Sequence, residues 1–283
     1  MLPDALAPGP RGAWDDLATW TGSVIEHDRR WHMLYTGISR ADGGLIQRIG
    51  LAVSDDLITW RKHPGNPVIE ADGRWYELLD LTSWRDQSWR DPWLFRDHSD
   101  GAFHVLITAR AAAGAADGRG VVAHARSADL VHWQVLPPVT APGEFAQVEV
   151  PQLVEFGDRR HILFSVHAED HSRSRVSRLG QGQGGTFTFT SGTFTSGTHG
   201  DDFRPSAAPI VPEDGPLGRL YAGKLVESRP GDWRFLAFRA ELGDAFIGEL
   251  TDALPVHQHP DGRLGIGTGL DGTASGTAKD QRH

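Results

Sequence analysis

Two carboxylates set the chemistry this chain could perform. Asp91 stands in Arg90-Asp91-Pro92, and 58 residues later Glu149 stands in Glu149-Val150-Pro151-Gln152-Leu153. Each lies just before a proline and a short apolar run, Trp93-Leu94-Phe95 and Leu153-Val154. That context places both acids where a loop turns into a strand, at the mouth of a sheet. Paired carboxylates beside an arginine suit cleavage of a glycosidic bond. One protonates the leaving oxygen, and negative charge faces the oxocarbenium-like transition state. A lone acid is ordinarily a solvated charge, and Arg90-Asp91 alone would read as a structural ion pair. The matched contexts favour the chemical reading.

The elements that must position them are strands. β-rich runs recur between polar turns at Thr21–Ile25, Trp31–Thr36, Ile49–Val53, Trp93–Phe95, His104–Ala109, Gly120–Ala125, Leu153–Phe156, His161–Val166, Leu220–Val226, Arg234–Ala240 and Phe246–Leu250. No 3.6-residue period is sustained over a helical length. An internal repeat narrows the architecture. Ser54-Asp55-Asp56-Leu57-Ile58-Thr59-Trp60 returns as Ser127-Ala128-Asp129-Leu130-Val131-His132-Trp133, after a similar strand and before a Trp-led edge segment each time. Repetition of one four-stranded unit marks a β-propeller. Four blades are recognisable, over about 20–65, 90–137, 148–198 and 218–252.

Between the first two blades, residues 66–89 form a long loop with Trp75, Trp84 and Trp89, expected to fold over the face that holds Asp91. In the Gly/Thr/Ser/Phe-rich stretch 179–200, Thr186–Thr190 alternates as a half-buried strand would, and the remainder is expected to be mobile loop. Past Pro255 the apolar period fades into Gly, Thr, Asp and His. The expected division is a propeller domain over 1–254 and a disordered tail over 255–283.

A formal net charge of −9 argues against a nucleic-acid partner. The absence of Cys excludes disulfides, thiol nucleophiles and cysteine-ligated zinc. No apolar run approaches the ~20 residues of a membrane span. Met1-Leu2-Pro3-Asp4 lacks the charged and apolar regions of a signal peptide, so a cytoplasmic location is expected. Asn66 is the one asparagine and precedes Pro67, which leaves no glycosylation sequon. Ten Trp could close sheet edges or stack on sugar rings.

Taken in order, these segments resemble the five-bladed propeller glycosidases of glycoside hydrolase family 32, the invertase, inulinase and levanase group, with families 43 and 68 related to it. The likeness is carried by Trp20-Thr21-Gly22-Ser23, Met33-Leu34-Tyr35-Thr36-Gly37, Ser54–Trp60 with Gly65-Asn66-Pro67-Val68-Ile69, Arg90-Asp91-Pro92, Glu149-Val150-Pro151 and Leu220-Tyr221-Ala222. It implies that Asp91 stabilises the transition state with Arg90 beside it, and that Glu149 is the acid/base. Trp20 and Thr21 would line the sugar pocket, and Asp15 and Asp16, in the polar loop before them, would contact sugar. The implied substrate is a β-fructofuranoside such as sucrose or a fructan end, cleaved with retention. The alternatives are an inverting arabinofuranosidase or xylosidase and a non-catalytic carbohydrate-binding propeller. The family's nucleophilic Asp belongs to a first-blade motif not seen here, so the expectation is a five-bladed design whose first blade this chain lacks. Arg219 stands where the family has a second Asp, and Val150 and Gln152 replace its usual Cys and Asp. The family's C-terminal β-sandwich has no counterpart either.

Three other signals are set aside. His167 and His171, four apart, would hold zinc only on a helix, and they follow a strand. Gly180–Gly185 precedes a strand and has no Lys, unlike a phosphate loop. His257 and His259 fall in the expected tail. No metal or cofactor is expected.

Overall fold

The computed structural model describes residues 4–156, 159–179, 183–190, 203–211, 217, 219–242 and 245–267. They build four antiparallel sheets, the first three simple meanders. The first is β1 (Ala18–His27), β2 (Arg30–Ile38), β3 (Gln47–Ser54) and β4 (Trp60–Lys62). The second is β5 (Trp89–Arg96), β6 (Phe103–Arg110), β7 (Gly120–Ser127) and β8 (Trp133–Leu136). The third is β9 (Glu149–Phe156), β10 (Arg159–Val166), β11 (Gly185–Thr190) and β12 (Arg204–Pro205). In the fourth, β13 (Arg219–Arg229) pairs with β14 (Asp232–Leu242), which pairs with both β15 (Ala245–Leu250) and β16 (Leu254–Gln258); β17 (Leu264–Ile266) closes the sheet. The sheets are arranged as four blades of a propeller, as the repeat predicted.

Two-residue alternation explains the packing. Val105 and Ile107 of β6 face the first sheet among Leu34, Ile49 and Leu51, while Leu106 between them faces the third among Phe145, Ile162 and Phe164. On β10, Ile162 and Phe164 turn to the second sheet, and Leu163 turns to Leu220, Leu225 and Phe235 of the fourth. Strands buried on both faces read as continuous apolar runs, which is why these stood out in the sequence.

Two expectations change. The chain does not leave the sheet at 254. Leu254, Val256, Leu264 and Ile266 keep the alternation and pack against the Leu220–Phe235 cluster, so 254–266 belongs to the last blade. Residues 268–283 lie outside the described residues, as do 180–182 and 191–200 of the stretch 179–200. Among the described residues there is also one short α-helix, α1 (Arg173–Leu179), whose first turn is capped by Ser172 Oγ accepting from Arg175 N at 3.2 Å.

The repeated heptapeptide is a hydrogen-bonded turn. Ser54 Oγ accepts from the amides of Asp56 (3.1 Å) and Leu57 (2.9 Å), while Asp56 Oδ1 accepts from those of Ile58 (2.8 Å) and Thr59 (2.7 Å). Trp60 Nε1 closes onto Leu57 O at 3.1 Å. Ser127, Asp129 and Trp133 repeat every bond at 2.8–3.1 Å. Backbone amides draw Asp56 down to about pKa 2. The price of the turn is a left-handed leucine, φ 65° at Leu57 and 67° at Leu130.

Leu57 is 46% exposed and Leu130 fully buried, so glycine should cost far less at the first site than at the second. Leu57→Gly should change stability by less than about 1 kcal/mol, because backbone relief offsets lost contacts. Leu130→Gly should cost about 3–5 kcal/mol through the cavity it leaves. Urea unfolding of both variants checks this; equal losses would refute it.

Candidate functional site

The innermost strands β1, β5, β9 and β13 are irregular at one equivalent place. The ladder slips between Thr19 and Gly22, between Arg90 and Trp93, between Tyr221 and Lys224, and beside Glu149, where β10 shifts between Leu163 and Ser165. At three of these bulges a non-glycine residue is left-handed: Asp91 (φ 57°), Val150 (φ 48°) and Ala222 (φ 54°). A bulge bends the strand and re-aims its side chains. The pairs Trp20-Thr21, Arg90-Asp91, Glu149-Val150 and Tyr221-Ala222 stand at the four bulges, and contacts link them from sheet to sheet.

Hydroxyls on the second strand of the first three sheets hold the bulges. Asp91 N donates to Thr36 Oγ1 of β2 at 3.1 Å, and Ala222 N donates to Ser165 Oγ of β10 at 2.9 Å. Between them the Asp91 carboxylate intervenes. Its Oδ2 accepts from Thr108 Oγ1 of β6 at 2.9 Å and from Val150 N at 3.2 Å. Thr21 Oγ1 donates to the other oxygen, Oδ1. Asp91 thereby joins three sheets.

Arg90 joins the two acids. Its Nε lies 3.6 Å from Asp91 Oδ2, and its Nη2 donates to Glu149 Oε1. Gln47 Oε1 fixes it from the first sheet, accepting from Arg90 Nη1 at 3.2 Å and Trp89 N at 3.0 Å. Tyr221 donates its phenol to Glu149 Oε2, and His167 stacks on the Tyr221 ring at 4.7 Å with Nε2 3.7 Å from the same oxygen. Burial works against ionisation of Glu149. The Arg90 charge and the Tyr221 hydrogen bond outweigh it and hold the carboxyl below its ordinary range. Burial and the Glu149 charge push the Tyr221 phenol well up, so it stays a donor. Asp170, in a 3₁₀ turn after β10, is buried and raised by that burial.

The inter-blade loop supports this layer. Glu77 binds Arg110 Nε at 2.5 Å and Arg119 Nη1 at 2.6 Å, and Trp84 lies over the Arg110 guanidinium at 3.9 Å. Arg110 Nη1 in turn donates to Ala146 O, three residues before Glu149. Ser88 Oγ reaches Gln147 Oε1 at 3.1 Å.

The structure therefore brings Asp91, Glu149, Arg90 and Thr21 together. Trp20 precedes Thr21 at the first bulge and is 44% exposed, so its indole is open to a ligand. Asp15 and Asp16 need correction, because neither is free to meet a sugar. Asp15 is buried and binds Lys62 Nζ at 2.5 Å on the outer strand β4, and Tyr35 OH at 3.0 Å. Asp16 accepts from Arg40 N (2.7 Å), Gly12 N (2.8 Å) and Ser39 Oγ (3.3 Å), bonds whose backbone part lowers its pKa. Both fasten the N-terminal segment onto the first sheet, where Trp14 fills a slot that a Cβ at Gly50 would enter to 2.6 Å. His167 and His171 diverge: the latter binds Arg175 Nε and Gln183 O. Among the described residues no group of three His, Cys, Asp or Glu could hold a metal. Sequence reading missed Tyr221, Thr108, Thr36 and Gln47. Tyr221 and Thr36 left a signal, inside Leu220-Tyr221-Ala222 and Met33-Leu34-Tyr35-Thr36-Gly37.

Arg90→Met should cost about 3–5 kcal/mol near neutral pH, because two buried carboxylates lose their shared cation. Glu149's lowered pKa adds stability above its unfolded value of roughly 4.3, lost as pH falls through the folded value. The deficit should therefore shrink below about pH 4. Urea midpoints from pH 3 to 7 test it, and a pH-independent deficit would count against the clamp.

The model of the glycosyl hydrolases family 32 N-terminal domain matches residues 2–210. A Bombyx mori GH32 β-fructofuranosidase in complex with sucrose is similar in fold, with 19% identity and TM-score 0.67, over 96% of this chain and 53% of that one. An inulosucrase from Halalkalicoccus jeotgali bound to kestose has 20% identity and TM-score 0.68, over 88% and 70%. An exo-1,5-α-L-arabinanase from a bovine ruminal metagenomic library has 14% identity and TM-score 0.54, over 88% and 77%. The chain thus spans about half the length of the silkworm enzyme. No curated protein matches it.

Proposed function

The chain belongs to glycosyl hydrolase family 32, and from that premise we propose that it acts on furanosides, β-fructofuranosides such as sucrose or fructan ends first among them. The observation that carries this reading is the meeting of Asp91 and Glu149 at adjacent bulges with Arg90 between them. Glu149 is the acid/base: it protonates the leaving oxygen and later takes a proton from water. Asp91, fixed by two hydroxyls and an amide, keeps its negative charge in place for the oxocarbenium-like transition state. Thr21 and the open Trp20 border the sugar.

The proton on Glu149 is the demanding part. Arg90 and Tyr221 favour its ionised form. A bound sugar whose leaving oxygen takes the place of one of these partners at Glu149 would raise its pKa toward the range of a working acid. Retention also requires a nucleophilic carboxylate about 5–5.5 Å from the acid/base. At the four bulges the described residues supply Asp91 and Glu149, both engaged with Arg90. These two facts favour a second reading, a sugar-binding propeller without turnover.

Hydrolysis of sucrose and of p-nitrophenyl arabinofuranoside, with Glu149→Gln alongside, decides between them. The enzyme reading expects sucrose turnover that falls by about 10²–10⁴ in the variant. Sugar binding with no turnover of either substrate would establish the second reading. If Glu149 is the acid, Tyr221→Phe should move the alkaline limb of the kcat/KM profile to higher pH, because the ionised carboxylate loses a donor. An unmoved limb would remove Glu149 from that role.

A further inference from the structure

Two residues along the strand from Thr21, Asp91, Val150 and Ala222 stand Ser23, Trp93, Gln152 and Lys224. Two of them pair with the backbone of the next sheet. Ser23 Oγ accepts from Leu94 N at 2.8 Å, and the Gln152 amide exchanges two 2.7 Å hydrogen bonds with Leu225. Lys224 reaches the other way, to the backbone of the preceding sheet. Its side chain crosses from the fourth sheet to the third, and Nζ donates to Val150 O at 2.7 Å and Pro151 O at 3.1 Å. The ammonium lies 5.3 Å from the Trp93 ring centre. It therefore serves peptide carbonyls in place of a carboxylate, a costly use of a half-buried cation.

Those carbonyls belong to the bulge that aims Glu149. The Val150 peptide is gripped on both sides: its N–H by Asp91 Oδ2 and its C=O by Lys224 Nζ. Val150 is left-handed (φ 48°), a conformation that a β-branched residue does not keep without outside restraint. We propose that Lys224 is a positioning residue for Glu149, holding the Val150–Pro151 bulge from the fourth sheet so that the carboxylate reaches Arg90 and Tyr221. This rests on the reading of Glu149 as the working acid, but the placement it asserts exists without substrate. Burial also pushes the ammonium down to about pKa 8, with Asp91 opposing. The neutral amine remains a donor, so the grip outlasts that titration.

The test is the ionisation of Glu149 in the whole protein, read by carbon NMR of ¹³C-labelled glutamate and assigned with Glu149→Gln. Arg90, His167, Asp170 and Tyr221 face this carboxyl and stay unchanged throughout. In Lys224→Met the bulge loses both donors, Glu149 draws away from Arg90 and Tyr221, and its midpoint should rise by about one pH unit or more. Lys224→Gln, neutral but still a donor, should stay within a few tenths of the parent. A lower Tm in Lys224→Met with an unmoved midpoint would overturn the proposal in favour of plain packing. Equal rises in both variants would overturn it in favour of charge alone. Should Lys224→Met fail to fold, Lys224→Gln decides: a preserved midpoint supports the grip, and a rise of a full unit refutes it. Because no turnover enters the measurement, a failed glycosidase assay beside the expected shifts would sink the function and leave the positioning intact.

Discussion

A strand bulge frees a backbone amide that the flat ladder can no longer satisfy, and an unsatisfied buried amide is costly. The centre of this molecule is organised around that constraint. Thr36 receives the amide of Asp91 and Ser165 that of Ala222, each across a sheet boundary. Between the second and third sheets the Asp91 carboxylate does the same for Val150, with Thr108 behind it. The bulges thus serve as joints between blades. The side chains they expose arrive at one centre because the same bonds fix both blade spacing and strand irregularity.

Charge follows from that geometry. Asp91 and Glu149 stand at neighbouring joints, and Arg90, one residue from Asp91, is the cation placed against both and the one that favours ionised Glu149. Tyr221 adds a neutral donor at the fourth joint. Two further arginines work at one remove, since Glu77 holds Arg110 and Arg119, and Arg110 holds the segment leading to Glu149. Lys224 holds the carbonyls of Val150 and Pro151. A cluster with this many fixed donors has little left to reorganise when a ligand's charge develops, which is the property that electrostatic catalysis and tight sugar recognition share.

Much of the scaffold was legible beforehand for a plain reason. Most predicted runs are buried on one or both faces, Phe246–Leu250 being exposed throughout, so alternation or a continuous apolar stretch marked them, and the Ser-x-Asp-Leu-x-x-Trp repeat encodes a turn whose bonds are local. The last blade was cut short because β16 and β17 are brief and rich in Pro, His and Gly, with apolar signal reduced to Leu254, Val256, Leu264 and Ile266. Asp15 and Asp16 were misread because their partners, Lys62, Tyr35 and Arg40, are distant in sequence. An acid offered to a ligand and one consumed by a fold look alike along the chain.

By itself the sequence determined the strands, the blade repeat and the candidacy of Arg90, Asp91 and Glu149, since each depends on neighbours within a few residues. The tertiary structure decided which side chains share a centre, which acids are already spent, and that Tyr221 and Lys224 belong to the site. Those outcomes depend on bonds between residues 20 to 74 positions apart, such as Asp15 with Tyr35, Thr36 with Asp91 and Val150 with Lys224. No local pattern records such pairings, because the joining force is the need of a displaced backbone group for a partner on another sheet.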